Sequence, residues 1–443
     1  MERILLGDIA QHKGEKVHVA GWVEVRRDHG KLMFLVLRDR SGEVQAVVKD
    51  GGGNAFTEAQ RLREQWVVSV QGTVNERPEK MRKDEQNGDV ELLIEDLQIL
   101  SEAAELPFDM DADLNLDTLL DYRPLTLRTQ RSRDIFSVAA TIVQEYRNAL
   151  IQNDFTEFQA PALVGGDAEG GAEVFKVEYF HEKKAFLATS PQLYKEIMTG
   201  AFERVFTIAK IFRAEKSATT RHLSEVTQMD FEMGFIEDHH DVMDMLENVI
   251  RHVCTVVSKK HADTFLRFNT TAPLVPKDAF PVLTLLEAQE IIENKFGGTA
   301  VGEPDLEPEH ERQICEWAKK EKGSDFVFIT EFPTKKRAFY TYPDPNNPER
   351  SYSFDLLFRG LEINSGSQRF HNYEEMLETI QARGMDPEKF AFYLQLHKYG
   401  VPPHGGCSTG LERFTARMLE VANVKEATPF PRDINRIDTR LSE

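Results

Sequence analysis

Residues 204–236 read RVFTIAKIFRAEKSATTRHLSEVTQMDFEMGFI, and the chain is organised around them. Residues 205–212 are nearly all apolar and stop abruptly at Arg213-Ala214-Glu215. Residues 226–235 alternate: Thr227, Met229, Phe231, Met233 and Phe235 point one way, and Val226, Gln228, Asp230, Glu232 and Gly234 the other. The pattern predicts two strands joined by a cation-rich loop that Arg221 and His222 close, with one greasy face and one acidic face. Folding alone does not require charges so placed, and the hairpin reads as a nucleotide platform.

Outward from this hairpin, composition sets bounds. At 443 residues the chain exceeds what one core usually serves, so two domains are expected. A formal charge of −20 argues against non-specific coating of nucleic acid, while a local basic groove stays open. Cys254, Cys315 and Cys407 form no CxxC pair, which suits a reducing cytosol and gives no zinc signature; any metal must be held by carboxylates. The start, MERILLGDIA, lacks a long apolar core, and no apolar run approaches ~18 residues, so neither export nor a membrane role is expected.

Short alternating runs at 16–25, 32–38, 44–48, 65–74 and 90–100 predict five strands, the size of an OB barrel over residues 1–104. Arg26, Arg27, Phe34, Arg38 and Gln45 lie on or beside the first three, the face on which such barrels stack unpaired bases. From the residues alone, the preferred reading is that Phe34 is core and the arginines are solvated. Residues 105–130, with Pro107 and Pro124, read as a linker with a short helix near 116–120, and the larger domain runs over 131–443.

Helical spacing at 131–152 is followed by an extended run at 158–164 broken by Pro161. Residues 165–171 hold four glycines, a loop able to bring backbone close to a ligand. In the segment SPQLYK, Gln192 and Lys195 fall near a helix start, where the dipole opposes a cation, so Lys195 is either solvated or holds an anion. Amphipathic helices at 238–260, 283–296 and 309–322 carry no chemical signal, and short strands are expected at 326–330 and 338–341. Residues 351–369 read as a hairpin turning at Arg359-Gly360, with Asp355 and Glu362 on paired strands. Such carboxylates suit a magnesium that bridges phosphate oxygens, or equally a glycosidase dyad. Arg369 ends that hairpin as a guanidinium suited to bidentate carboxylate binding. Gly406 and Gly410 precede a helix bearing Arg413, and neither a P-loop nor a Rossmann glycine pattern is present.

Together these pieces resemble class II aminoacyl-tRNA synthetases of the aspartate, asparagine and lysine subgroup, along nearly the whole chain. Pro161 after the long helix is similar to motif 1, the dimer-forming element; Phe212-Arg213-Ala214-Glu215 with Arg221-His222-Leu223 to motif 2; Gly410-Leu411-Glu412-Arg413 to motif 3. Within the subgroup, residues 190–195, Met229-Asp230-Phe231-Glu232 and Ser365 through Gln368-Arg369 resemble aspartyl enzymes of archaeal and eukaryotic type, without the bacterial insertion domain. The fold so implied is α+β, an OB barrel before an antiparallel sheet flanked by helices, and the enzyme a cytoplasmic homodimer. The resemblance implies ATP, Mg2+, L-aspartate and tRNA(Asp) as ligands, and leaves tRNA(Asn) open as a second tRNA. It assigns Arg213, Glu215, Arg221, His222, Leu223, Glu362, Gly410 and Arg413 to ATP, with Arg213, Arg413 and Glu362 catalytic. Glu169, Gln192, Lys195, Asp230, Ser365 and Arg369 go to aspartate, and Asp355, Glu362 and Ser365 to the metal. Arg27, Phe34 and Gln45 go to the anticodon, reversing the core reading of Phe34, and residues 216–220 to the incoming tRNA end. Ser408 and Ser367 stand where the family usually has smaller residues, and Ala168 where threonine is common, so substrate affinity is expected to be weakened. An asparaginyl enzyme and a silent RNA-binding paralogue are the competing readings.

Overall fold

In the computed structural model, which describes residues 1–51, 53–166, 173–216 and 219–437, the N-terminal alternation closes a barrel. Its strands are β1 (Lys16–Asp28), β2 (Leu32–Arg38), β3 (Glu43–Lys49), β4 (Val67–Glu76) and β5 (Val90–Ser101), in the closed order β1-β2-β3-β5-β4. Met33, Leu35 and Leu37 fill the interior, which leaves Phe34 and Val36 facing outward. Arg27 pairs across from Phe34, and Gln45 from Val36, so Arg27, Phe34 and Gln45 share the outer face. Phe34 is therefore not core, and its ring meets His29 edge-on at 5.4 Å. A helix at Asn54–Arg61 has no counterpart in the sequence reading: it buries only Ala55 and Ala59, too little for an apolar stripe. This compact unit runs over Met1–Ala112.

The second unit, Asp113–Glu443, begins with two short helices, Leu116–Asp121 and Arg123–Thr126, inside the segment read as a linker. Arg123 ties them to the C-terminal segment by donating to the carbonyls of Pro429 (2.7 Å) and Thr428 (3.0 Å). The strands that follow are β6 (Thr156–Glu157), β7 (Leu163–Val164), β8 (Lys176–Glu178), β9 (Lys184–Leu187), β10 (Arg204–Phe212), β11 (Glu225–Gly234), β12 (Val282–Thr284) and β13 (Phe326–Thr330). Then come β14 (Pro343–Asp344), β15 (Asn347–Ser351), β16 (Ser353–Phe358), β17 (Leu361–Gln368) and β18 (His404–Gly410). Eight of them form one sheet in the order β12-β13-β16-β17-β18-β11-β10-β6, antiparallel except for the pairs at its two edges.

One face of this sheet is the main core. Met229, Phe231 and Cys407 meet Ile142 and Tyr146 of helix Gln130–Gln152, Val249 and Val253 of helix His239–Lys260, and Phe414 of helix Leu411–Met418. The predicted β10–β11 hairpin is present, yet from Met229 onward both faces of β11 are buried, Asp230 and Glu232 included. Phe235 departs from the alternation: it sits past the strand end at φ 58° and is 72% exposed. The run 158–164 is not one strand, since β6 and β7 flank a stretch around Pro161, which has no amide hydrogen to donate. Residues 338–341 make only an isolated bridge from Thr341 to Arg369. Arg359 and Gly360 both take positive φ, the geometry that suits a two-residue turn between twisted strands.

Candidate active site

On the other side of β11, β17 and β18 opens a cavity of about 370 Å³. Its inner end is built by helix Gln192–Phe202, which carries Lys195 across to β11. Lys195 has no exposure, and its Nζ lies 3.0 Å from Asp230 Oδ2, 3.3 Å from Glu232 Oε2 and 3.1 Å from the Cys407 carbonyl. Burial opposes its charge, but the two carboxylates outweigh burial and raise its pKa. The cation at the helix start thus holds anions, although these are the protein's own. Ser408 completes the group by donating to Asp230 Oδ1 at 2.7 Å.

Arg369 forms the wall beside it. Its Nε donates to Glu232 Oε1 at 2.9 Å and its Nη2 to the Gly406 carbonyl at 2.9 Å, and its plane lies over the Tyr340 ring. Gly406 is required at this point, because a Cβ there would stand 2.2 Å from Glu232 Oε2. Behind Arg369, Gln192 donates its amide to Glu196 Oε1 at 2.6 Å, which turns Gln192 Oε1 toward Arg369 at 3.4 Å. Burial pushes the Glu196 carboxyl up, but the hydrogen bond and charge of His404, with Arg369 and Gln192, bring it well below the usual range. Gln192, Ser365 and Arg369 line the cavity, whereas Lys195 and Asp230 lie sealed behind its wall.

The outer rim carries the motif 2 and motif 3 residues. Arg213, Glu215, Arg221, His222, Leu223, Glu362, Gly410 and Arg413 all line the same cavity. Their mutual contacts are looser: Arg213 is 4.0 Å from Glu215, and His222 is 3.9 Å from Glu215. Burial depresses the His222 pKa; Glu215 opposes that, and Arg413, Arg221 and Arg213 add to it, so the imidazole is biased toward neutrality amid three guanidiniums. A Cβ on Gly410 would meet nothing closer than Arg413 at 3.9 Å, so here the missing side chain keeps space open rather than relieving a clash. Glu412 anchors the following helix by accepting from the Thr227 amide at 3.0 and 3.1 Å.

Of the carboxylates of β16 and β17, Glu362 lines the cavity, while Asp355 is buried behind it beside Ser365. Asp355 and Ser365 are register partners, and Glu362 accepts from Arg413 Nη1 at 3.2 Å. Asp355 Oδ1 is buried without a hydrogen-bond partner, a donor set with room for a cation. Burial, opposed by Arg337 and reinforced by Glu362, raises the Asp355 carboxyl to about 6. Glu169, and with it Ala168 and most of the glycine loop, lies outside the described residues, as do Ser217 and Ala218 of the loop expected to face tRNA.

The family described as tRNA synthetases class II (D, K and N) matches residues 115–434, and the OB-fold nucleic acid binding domain matches residues 17–100. The chain belongs to the class II tRNA synthetases of this group. It is 43% identical to the Aspartate–tRNA(Asp/Asn) ligase of Thermus thermophilus, covering 98% of this chain and 99% of that one. Against the Aspartate–tRNA(Asp) ligase of Pyrococcus horikoshii the identity is 37%, covering 96% of both. Among solved structures, asparaginyl-tRNA synthetase from Pyrococcus horikoshii complexed with asparaginyl-adenylate superposes with a TM-score of 0.88 at 32% identity, covering 99% of both chains.

Two residues of the cavity wall and the layer behind it were not found by reading the sequence. Arg337 lines the cavity and reaches Asp355 and Ser365, yet it lies in a turn-rich stretch with no motif around it. Glu196 follows Lys195 directly and reads as an ordinary helix surface acid, and only its burial against His404 and Tyr393 shows that it orients Gln192. No helix among the described residues is long and apolar enough to cross a membrane.

Proposed function

We propose that the chain is an ATP-dependent aspartate–tRNA ligase, which forms aspartyl-adenylate and transfers the aspartyl group to the 3′ end of tRNA(Asp), with tRNA(Asn) the open second candidate. The observation that carries the aspartate reading is Lys195, an unexposed cation set between Asp230 and Glu232 directly behind the wall that presents Arg369. Arg369 on the wall, with the Lys195 charge directly behind it, suits a ligand that places a carboxylate at that end of the cavity. Relatives named for aspartate, at 37 to 43% identity along the chain, support the same reading.

In the first step the aspartate α-carboxylate attacks the α-phosphorus of ATP and pyrophosphate leaves; in the second, a hydroxyl of the tRNA's terminal adenosine attacks the acyl carbon and AMP leaves. No protein nucleophile is needed, so positioning and charge neutralisation supply the catalysis. Arg213 serves the α-phosphate, Arg413 the γ-phosphate and Glu215 the adenine, while Arg221, His222, Leu223 and Gly410 shape the nucleotide's bed. Gln192 Oε1, with Glu169, serves the substrate ammonium and Arg369 and Ser365 the aspartate, while Lys195 and Asp230 act from behind the wall by setting its charge. Asp355, Glu362 and Ser365 would hold Mg2+, which when bound neutralises phosphate charge.

Residues 1–104 are read as the anticodon-binding domain, with Arg27, Phe34 and Gln45 as its reading face, 105–130 as the connection and 131–443 as the catalytic domain. A cytoplasmic homodimer formed through the helix and segment preceding Val164 completes the reading. Exchange of labelled pyrophosphate into ATP, run with aspartate and with asparagine, tests it: aspartate-dependent exchange is expected, and exchange with asparagine alone would move the assignment to the asparaginyl enzymes. Aminoacylation of purified tRNA(Asp) and tRNA(Asn) then decides the tRNA range.

A further inference from the structure

Arg337 is placed where the proposed site would need something else. Its Nη2 donates to Asp355 Oδ2 at 2.8 Å and its Nη1 to Ser365 Oγ at 3.3 Å, so the fork spans two of the residues read as metal ligands. The guanidinium is supported from one side by the Phe332 ring, 3.7 Å from its carbon, and its side chain keeps 18% exposure, toward the cavity that it lines. The backbone that carries it is held by Arg383, which donates to the Arg337 and Thr334 carbonyls at 2.8 and 3.1 Å. The side chain can therefore leave Asp355 without the loop unfolding. The second predicted ligand, Glu362, is paired with another arginine, Arg413, at 3.2 Å. Each carboxylate thus has a guanidinium partner on the wall of the same cavity.

Resting on the ligase reading above, we propose that Arg337 is an exchangeable counter-ion: it neutralises Asp355 while the site is free of nucleotide, yields that carboxylate to a divalent cation, and turns its charge to the polyphosphate of the nucleotide. Three facts carry this. Asp355 is buried, and its Oδ2 accepts from Arg337 Nη2 at 2.8 Å, so the carboxylate already holds one cation. Its second oxygen, Oδ1, has no hydrogen-bond partner, so the Arg337 contact leaves the carboxylate half satisfied. Arginine matches phosphate with the same fork that it now offers to Asp355 and Ser365. Two cations competing for one carboxylate in the absence of nucleotide would cooperate once a polyphosphate accepts the displaced guanidinium.

The test uses the full-length protein and Mn2+ followed by electron paramagnetic resonance. Without nucleotide, Arg337→Met is expected to bind Mn2+ more tightly than the native chain by about tenfold, because Asp355 loses its resident cation. The same variant is expected to bind ATP with Mn2+ more weakly by about tenfold, since one phosphate contact is gone. These opposite signs separate exchange from simple support of the fold, which would weaken both. Arg337→Met combined with Asp355→Asn should abolish the added Mn2+ affinity, and Arg337→Lys, a cation without the fork, should fall between. Unchanged or weaker Mn2+ binding by Arg337→Met, or by Arg337→Lys should the first variant not fold, overturns the proposal. Native protein that binds no ATP would instead overturn the ligase reading.

Discussion

The inner end and the outer rim of one cavity are built on opposite plans. At the inner end, Lys195, Asp230, Glu232 and Arg369 are buried and already neutralise one another at 2.9 to 3.3 Å. At the rim, Arg213, Glu215 and His222 are more than a third exposed and approach one another only to 3.9 to 4.0 Å. A small ligand entering the inner end must compete with contacts that already exist, so selectivity comes from fit against a fixed, balanced charge set. A polyphosphate entering the rim meets Arg213, whose nearest carboxylate, Glu215, is 4.0 Å away, before it reaches the paired Arg413.

The sharpest break in that comparison is Lys195→Ala. Removing it leaves Asp230 and Glu232 buried with less compensation, which is expected to cost about 3 to 5 kcal/mol in urea unfolding as well as aspartate-dependent exchange. Binding of tRNA by the barrel should be largely kept, and equal loss of both would contradict the pocket. Glu196→Gln probes the layer behind. The folded-state pKa of Glu196 is depressed, so its contribution is present above the ordinary value of 4.5 and is lost as pH falls below it. At pH 7 the variant is expected to be less stable by about 3 kcal/mol, and the gap to native should narrow in unfolding curves taken below pH 4.5. Ser408→Gly removes only the donor to Asp230, an expected loss of about 1 to 2 kcal/mol by the same measurement. Arg413→Ala belongs to the rim and should change stability by less than about 0.5 kcal/mol while slowing pyrophosphate exchange by about a hundredfold. If Arg413→Ala destabilised the chain as much as Lys195→Ala, the division between a structural inner end and a ligand-completed rim would fail.

Much of this was legible from residue order because the deciding elements are local. Alternation marks β1 to β5 and β11, and Arg359-Gly360 marks the turn that aligns Asp355 with Ser365. The resemblance brought Arg213, Glu215, His222 and Arg413 together, and they do line one cavity. What stayed hidden depends on distant partners. Asp230 and Glu232 read as an acidic face, and only a helix arriving from residues 192–202 makes that face an interior. Arg337 has no periodic context, and its meaning comes from strands that follow it in the chain. The barrel shows the reverse case: Phe34 has a core residue's chemistry, but pairing parity with Arg27 puts it outside.

The three free cysteines give the molecule its own clock. Cys407 sits in β18, where its carbonyl takes the Lys195 ammonium, Cys254 lies under the sheet, and Cys315 belongs to a separate cluster with Ile314 and Ala318. All three thiols are buried, and burial lifts each to about 12, so none reacts with an alkylating reagent until its surroundings open. Labelling rates read cysteine by cysteine therefore measure opening free energies at three depths.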